Sequence, residues 1–154
     1  MKSRLNPVLI PALCVAAMLA LTSAAWAESA GVVKTTKGTA NIERSGQKIP
    51  AVVGATVETG DRVVTGADSY VGITLHDNTM LSAGPNSTLE LNKFAFNSTT
   101  HAGVLDASVK RGSLSVISGK IAKANPDSVV FSTPGVTLGV RGTEFIVEAG
   151  QNEE

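Results

Sequence analysis

Short runs in which apolar and polar residues alternate recur along the chain after residue 27. Val71, Ile73 and Leu75, for example, fall on one face of an extended segment while the residues between them fall on the other. Valine, threonine, isoleucine and glycine are frequent, and no stretch shows the 3.6-residue period of an amphipathic helix. One apolar face per segment is typical of antiparallel sheets that cover a core. The sequence therefore predicts an all-β domain.

Twelve short strands are predicted from this alternation and from the Gly, Asn, Asp and Ser residues that separate them. They span residues 31–35, 39–44, 47–52, 61–65, 69–75, 79–82, 87–92, 104–110, 113–118, 128–132, 136–140 and 143–148. Pro50 lacks a backbone donor, so the third strand is expected at a sheet edge. Short, regularly spaced strands favour a sandwich or jelly-roll of antiparallel sheets, with a short β-solenoid-like arrangement as the alternative.

Turn-forming residues mark several connections between these strands. Asp77-Asn78 predicts a two-residue hairpin because both residues tolerate positive φ, and Gly46 suits a hairpin between the second and third strands. Residues 59–61 predict a tight turn. The polar stretches 97–103 and 120–127 are expected to be exposed loops.

The first 27 residues have the pattern of a cleavable signal peptide. Lys2 and Arg4 precede an uncharged apolar run, and Ala25 and Ala27 place small residues where a signal peptidase reads. A retained membrane anchor is the alternative, but the run is short for a spanning helix and Pro11 interrupts it. We expect a periplasmic or secreted protein with a signal peptide at 1–27, a β domain at 28–149 and a disordered tail at 150–154.

Composition excludes several classes of partner and site. The only cysteine, Cys14, lies in the predicted leader, so the mature chain is expected to lack disulfides and cysteine-based metal sites. Two of the 13 basic residues also lie in the leader, which leaves acidic residues in slight excess. A nucleic-acid partner or a polybasic membrane contact would need clustered positive charge instead.

The potential for catalysis is low. His76 lies beside Asp77 in a predicted turn and His101 lies in a polar loop, so neither shows the geometry of a general base. The sequence has no paired-histidine metal motif, no nucleophile elbow and no phosphate-binding loop. Asp61, Asp68 and Asp77 would form a cation site only if their turns stacked, and solvated turn residues are favoured. We predict a non-catalytic protein without cofactor or metal.

Two segments carry a more specific pattern. The first has a Gly-Asp turn, an apolar strand, a hairpin and a Ser-x-Leu-x-Leu strand, and the second has Thr-Pro followed by Arg-Gly-Thr-x-Phe. Their named residues are Gly60, Asp61, Arg62, His76, Asp77, Asn78, Ser87, Leu89, Leu91, Thr133, Pro134, Arg141, Gly142, Thr143 and Phe145. In order and spacing they resemble the FecR domain over about residues 31–148, with Asn78 where glycine is usual.

The resemblance implies a role in envelope signalling. In the regulators that give the family its name, the domain is the periplasmic sensing part of an anti-sigma regulator that receives a signal from an outer-membrane transporter. A sigma-binding segment and a membrane helix precede the domain there, whereas only the predicted leader precedes it in this sequence. We therefore expect an exported module that binds another envelope protein, with its oligomeric state left open.

Binding would use sheet edges or exposed turns. The candidate contact or family-motif residues are Gly60, Asp61, Arg62, His76, Asp77, Asn78, Arg141, Gly142 and Thr143, together with the loop 97–101. Arg141 is expected to be buried and paired with Glu144 or Asp61; the alternative is an exposed contact with a partner's carboxylate. Carbohydrate or peptidoglycan binding is the alternative function, and it would use Tyr70 or the Phe94/Phe96 pair as stacking surfaces.

Overall fold

The computed structural model describes residues 28–150, and within them the regular structure is almost entirely β. The elements are β1 (Ser29–Lys37), β2 (Ala40–Arg44), β3 (Gln47–Pro50), β4 (Thr56–Glu58), β5 (Arg62–Thr65), β6 (Tyr70–Leu75), β7 (Met80–Ala83), β8 (Thr88–Phe96), β9 (Gly103–Ile117), α1 (Lys120–Ala124), β10 (Val129–Ser132), β11 (Thr137–Gly139) and β12 (Glu144–Ala149). The all-β prediction is confirmed. The predicted leader, 1–27, and tail residues 151–154 lie outside the described residues.

The strands form one continuous sheet that curls into a half-barrel. Its main path runs β3-β2-β5-β8-β9-β7-β6-β1-β4, and β12 pairs with the second half of β9. The first half of β9 pairs in parallel with β10, which in turn pairs with β11. The two layers expected of a sandwich are thus two walls of one sheet, because β9 runs through both of them.

A single glycine allows β9 to pass from one wall to the other. Gly112 has a φ of 83°, and a Cβ added there would lie 2.6 Å from Cα of Ser87 in the facing turn. The sequence predicts two strands, 104–110 and 113–118, on either side of this position. The structure shows one bent strand instead, because glycine here permits a bend without ending the ladder.

The apolar faces of both walls point inward and form one core. Its largest fully buried side chains are Phe131, Ile42, Leu75, Leu81, Leu105, Leu114 and Ile121. Ile121 belongs to α1, which lies in the stretch 120–127 that the sequence predicts to be an exposed loop. That prediction is wrong for α1, since Ile121 has no exposed surface and Ala122 is also buried. A single isoleucine in a polar stretch is too short a signal to indicate this burial.

Two further predictions need correction. β4 was not predicted, because three residues are too few to show an alternation. The hairpin at Asp77-Asn78 exists, but its turn has three residues: the Leu75 N–H donates to the Thr79 carbonyl at 2.9 Å, and only Asn78 has positive φ, at 68°. The Ser45-Gly46 hairpin is confirmed, with positive φ at both residues.

Candidate functional site

Asp61, predicted as a contact residue, is buried. Together with Arg44 it forms a cluster of hydrogen bonds that we call the clamp. The side chain of Asp61 is 1% exposed and accepts hydrogen bonds from Arg44 Nε at 2.8 Å and Arg44 Nη2 at 2.7 Å. The backbone N–H of Glu58 donates to the same carboxylate at 2.8 Å. The hydrogen bond and charge of Asp61, together with the charge of Glu58, raise the pKa of Arg44 despite its partial burial. Gly60, with a φ of 91°, makes the turn that presents Asp61 inward.

The same clamp occupies the backbone of β4. Arg44 Nη2 donates to the carbonyl of Thr56 at 3.1 Å, and the N–H of Glu58 is bonded to Asp61. Two polar backbone groups of this three-residue strand are therefore unavailable to another strand.

Arg62 lies on the outer face of the wall formed by β2, β5, β8 and β9. Its guanidinium binds Glu90, with Nε at 2.8 Å from Oε1, and lies 3.9 Å from Glu43. Lys110 reaches the other oxygen of Glu90 at 3.4 Å. Burial opposes ionisation of Glu90, but the hydrogen bonds and charges of Arg62 and Lys110 outweigh it and lower its pKa. Arg62, Lys110, Glu43 and Glu90 thus form a solvated ladder of alternating opposite charges, which we call the ion ladder.

The turn between β6 and β7 is only partly exposed. His76 and Asn78 face solvent as expected, but the expected exposure of Asp77 is wrong, since its side chain is fully buried. Its Oδ2 accepts from Thr79 Oγ1 at 2.7 Å and from the Ile121 N–H at 3.4 Å, and its Oδ1 accepts from the Thr79 N–H at 3.0 Å. Asp77 therefore ties this turn to the start of α1.

Arg141, Gly142 and Thr143 form an exposed segment that leads into β12. The ion pairs among residues 28–150 do not include Arg141, so the expected burial and pairing with Glu144 or Asp61 are wrong. The segment runs over the surface, where a lone cation is solvated at little cost. Within the same range, no group of three or more His, Cys, Asp or Glu residues is placed to hold a metal ion.

Within residues 28–150, four strands lie at the edges of the sheet, and three of them are poor sites for pairing with another strand. β4 is occupied by the clamp, and β11 has only three residues. The Ser45-Gly46 hairpin closes on the hydrogen-bonded pair Arg44–Gln47. Because hydrogen-bonded and non-hydrogen-bonded pairs alternate along two antiparallel strands, the backbone groups of Lys48 and Pro50 point to the free side of β3. Lysine and proline at an edge both discourage the addition of another strand.

β12 is the remaining edge, and it has six residues. The N–H of Ser118 donates to the carbonyl of Thr143 at 2.8 Å, which sets the alternation of bonds between β9 and β12. By this alternation, Glu144, Ile146 and Glu148 direct their N–H and C=O groups away from β9. In the described part of the chain, these groups have no strand beside them.

Exposed apolar side chains surround this edge. Ile146 is 68% exposed, the highest value among the large hydrophobic residues of the described range. Ile117 and Met80 lie directly opposite each other on β9 and β7, and Ile117 is the diagonal neighbour of Ile146, which itself lies opposite Ser115. On the other side, a groove of about 230 Å³ separates β12 from β11 and is lined in part by Leu138. Clustered exposed apolar residues are typical of interaction sites.

The aromatic residues proposed for carbohydrate stacking are partly covered. Phe96 stacks on His101 with ring centroids 6.2 Å apart, and Phe94 packs against the core. Tyr70 is exposed, and its hydroxyl lies 3.5 Å from both Ser82 Oγ and Thr35 Oγ1. These two hydrogen bonds lower the pKa of Tyr70, against a small effect of burial.

Comparison with protein families agrees with these motifs. The model of the FecR protein family matches residues 61–153, more than half of the chain. The chain belongs to the FecR family. FecR proteins are envelope-associated signalling regulators and are generally not enzymes. No curated protein and no solved structure gives a significant match.

The FecR match begins at the buried clamp residue Asp61 and extends beyond the β12 edge. The predicted FecR motif residues lie in different parts of the structure. Asp61 and Asp77 hold the fold, Arg62 belongs to the ion ladder, and Arg141 leads into the free edge. None of the helices described between residues 28 and 150 is long and apolar enough to cross a membrane.

The residues of the β12 edge were missed at the sequence level, although the strand itself was predicted. The alternation Glu144, Ile146, Glu148 was visible as one face of that strand. Nothing in a single sequence says which strand ends a sheet, so the exposure of Ile146 was not predictable.

Proposed function

We propose that this FecR-family protein is an exported periplasmic module that binds another envelope protein and takes part in envelope signalling without catalysis. The observation that carries the proposal is the free edge of β12, the longest terminal strand, with an exposed apolar residue at its centre. Addition of a strand to an open sheet edge is a common mode of protein recognition, because backbone hydrogen bonds supply affinity and side chains supply specificity.

The surroundings of β12 support a binding role for this edge in particular. The charges of the ion ladder on the facing wall already pair with one another, and β3 and β4 are protected or occupied. β12 has six residues and no proline, and within the described residues no side chain occupies its outward backbone groups, so this edge can receive a strand from a partner.

The non-catalytic part of the proposal has its own support. Asp77, the carboxylate next to His76, uses its oxygens to bind Thr79 and the start of α1 rather than the imidazole. The second histidine, His101, stacks on Phe96 in a surface turn. Among residues 28–150, neither histidine has a hydrogen-bonded partner of the kind that orients a general base.

Site-specific photo-crosslinking in the cell tests the binding role. A photoreactive benzoylphenylalanine at position 146 is expected to give a discrete crosslinked product in the envelope. The same group at position 48, on the protected edge β3, is expected to give none. Equal crosslinking at both positions, or none at position 146, contradicts the proposal.

Export is tested separately by fractionation. We expect the mature protein in the periplasmic fraction, with Glu28 as its N-terminal residue by mass spectrometry. An intact leader on cytoplasmic protein contradicts the periplasmic location.

Carbohydrate or peptidoglycan binding stays a prediction. Tyr70 is the most exposed of the candidate stacking residues, while Phe94 and Phe96 are half-buried. Sedimentation with purified sacculi distinguishes the two functions. Sacculus binding that is lost in Tyr70→Ala but retained in Ile146→Lys favours the carbohydrate function over a role for β12.

A further inference from the structure

Three residues of β12 combine free backbone groups with outward side chains. Glu144, Ile146 and Glu148 direct their N–H and C=O groups to the open edge, as the bond from Ser118 to Thr143 establishes. All three are exposed, whereas Val147 and Ala149 face the core. A strand added at this edge therefore places its own paired residues beside Glu, Ile and Glu on the same outer face.

This order of charges disfavours a second copy of the chain as the added strand. In an antiparallel pair centred on Ile146, Glu144 of each copy would lie directly opposite Glu148 of the other. Like charges in these positions are destabilising, and charged residues at an edge are a common protection against self-association.

We infer that β12 accepts an extended segment of another protein whose paired residues read basic, apolar, basic. Lysine or arginine would lie beside Glu144 and Glu148, and an apolar side chain would extend the surface formed by Ile146, Ile117 and Met80. This inference rests on the proposed binding function and adds the chemistry of the partner. Arg141 precedes the strand by three residues and lies outside this three-residue pattern.

Binding of synthetic peptides to the whole mature protein tests the charge pattern. The first peptide carries Lys-Thr-Ile-Thr-Lys at its centre, and the second carries Glu in place of both lysines. Fluorescence anisotropy at low ionic strength is expected to show the basic peptide binding at least about tenfold more tightly, since two attractive pairs become repulsive. A third peptide, with proline in place of isoleucine, is expected to bind at least about tenfold more weakly than the first.

Charge reversal in the protein gives the matching variants. The double variant Glu144→Lys/Glu148→Lys is expected to prefer the acidic peptide by a similar factor. The control Glu28→Lys/Asp127→Lys makes the same change in net charge at exposed positions away from β12 and is expected to bind the basic peptide within about twofold of wild type. Circular dichroism of each variant verifies that the β fold is retained.

The possible failures are distinguishable. If position 146 crosslinks in the cell but the basic and acidic peptides bind equally, the proposed function stands and the charge pattern is wrong. The inference is also overturned if the control double variant loses binding as strongly as the β12 variant. A wild-type dimer in sedimentation that dissociates in Ile146→Lys would identify a second copy as the occupant and exclude the partner inferred here.

Discussion

Replacing Asp61 with alanine removes a carboxylate that accepts three hydrogen bonds of 2.7–2.8 Å while only 1% exposed. The substitution leaves the N–H of Glu58 without its acceptor, which costs about 1–3 kcal/mol. It also removes the main partner of Arg44, whose side chain is 27% exposed and keeps the Glu58 carboxylate at 2.8 Å. We expect the free energy of unfolding to fall by about 2–4 kcal/mol, somewhat below the full effect of breaking a fully buried ion pair.

Urea unfolding followed by circular dichroism measures this change. With an m-value of about 2 kcal/mol/M, the midpoint is expected to fall by about 1–2 M without a change in slope. Arg44→Ala is the matched variant, and it is expected to cost at least as much because it leaves a carboxylate buried without a cation. The double variant should cost less than the sum of the single variants, since both remove the same interaction.

A loss below about 0.5 kcal/mol for Asp61→Ala, or strict additivity in the double variant, would refute the clamp. The same protein separates structural from binding roles. Where Asp61→Ala is still folded, its affinity for the basic peptide should equal that of wild type, because Asp61 does not lie on the β12 edge.

Three further perturbations test other parts of the structure. Gly112→Ala places a Cβ against backbone at a φ of 83° and should lower the free energy of unfolding by at least about 2 kcal/mol. In the control Gly139→Ala the new Cβ meets no atom within 4 Å, so the free energy of unfolding should change by no more than about 0.5 kcal/mol. Urea unfolding measures both changes. Glu90 has a folded pKa below its ordinary value of 4.5, so its contribution is present above that value and is lost as pH falls through the lower folded pKa. Stability measured against pH should therefore fall less steeply below about pH 4.5 in Glu90→Gln; an unchanged acid limb contradicts the ion ladder. Asp77→Ala removes three hydrogen bonds and should lower the free energy of unfolding by about 2–3 kcal/mol. Hydrogen exchange at the amide of Ile121 should also become faster. Protection of this amide equal to that in wild type would show that α1 is held without Asp77.

Local patterns predicted most of the strands but not their environment. Val71, Ile73 and Leu75 are buried as their alternation indicates, and the Ser-Gly hairpin forms with positive φ at both residues. Asp61 has the same local signature as any solvated turn aspartate. Its burial depends on Arg44, 17 residues earlier in the chain, and no local pattern indicates that pairing.

The alternation of apolar residues and the turn chemistry determined by themselves that this chain forms short strands around one core, since side-chain direction in a strand follows from backbone geometry alone. The family motif was likewise visible in the residues. Tertiary structure alone decided which strand lies at an open edge, which aspartates are buried and where β9 crosses between the walls. These properties depend on contacts between segments distant in sequence. Only the assembled sheet leaves Ile146 exposed between Glu144 and Glu148, whose outward backbone groups have no strand beside them in the described residues.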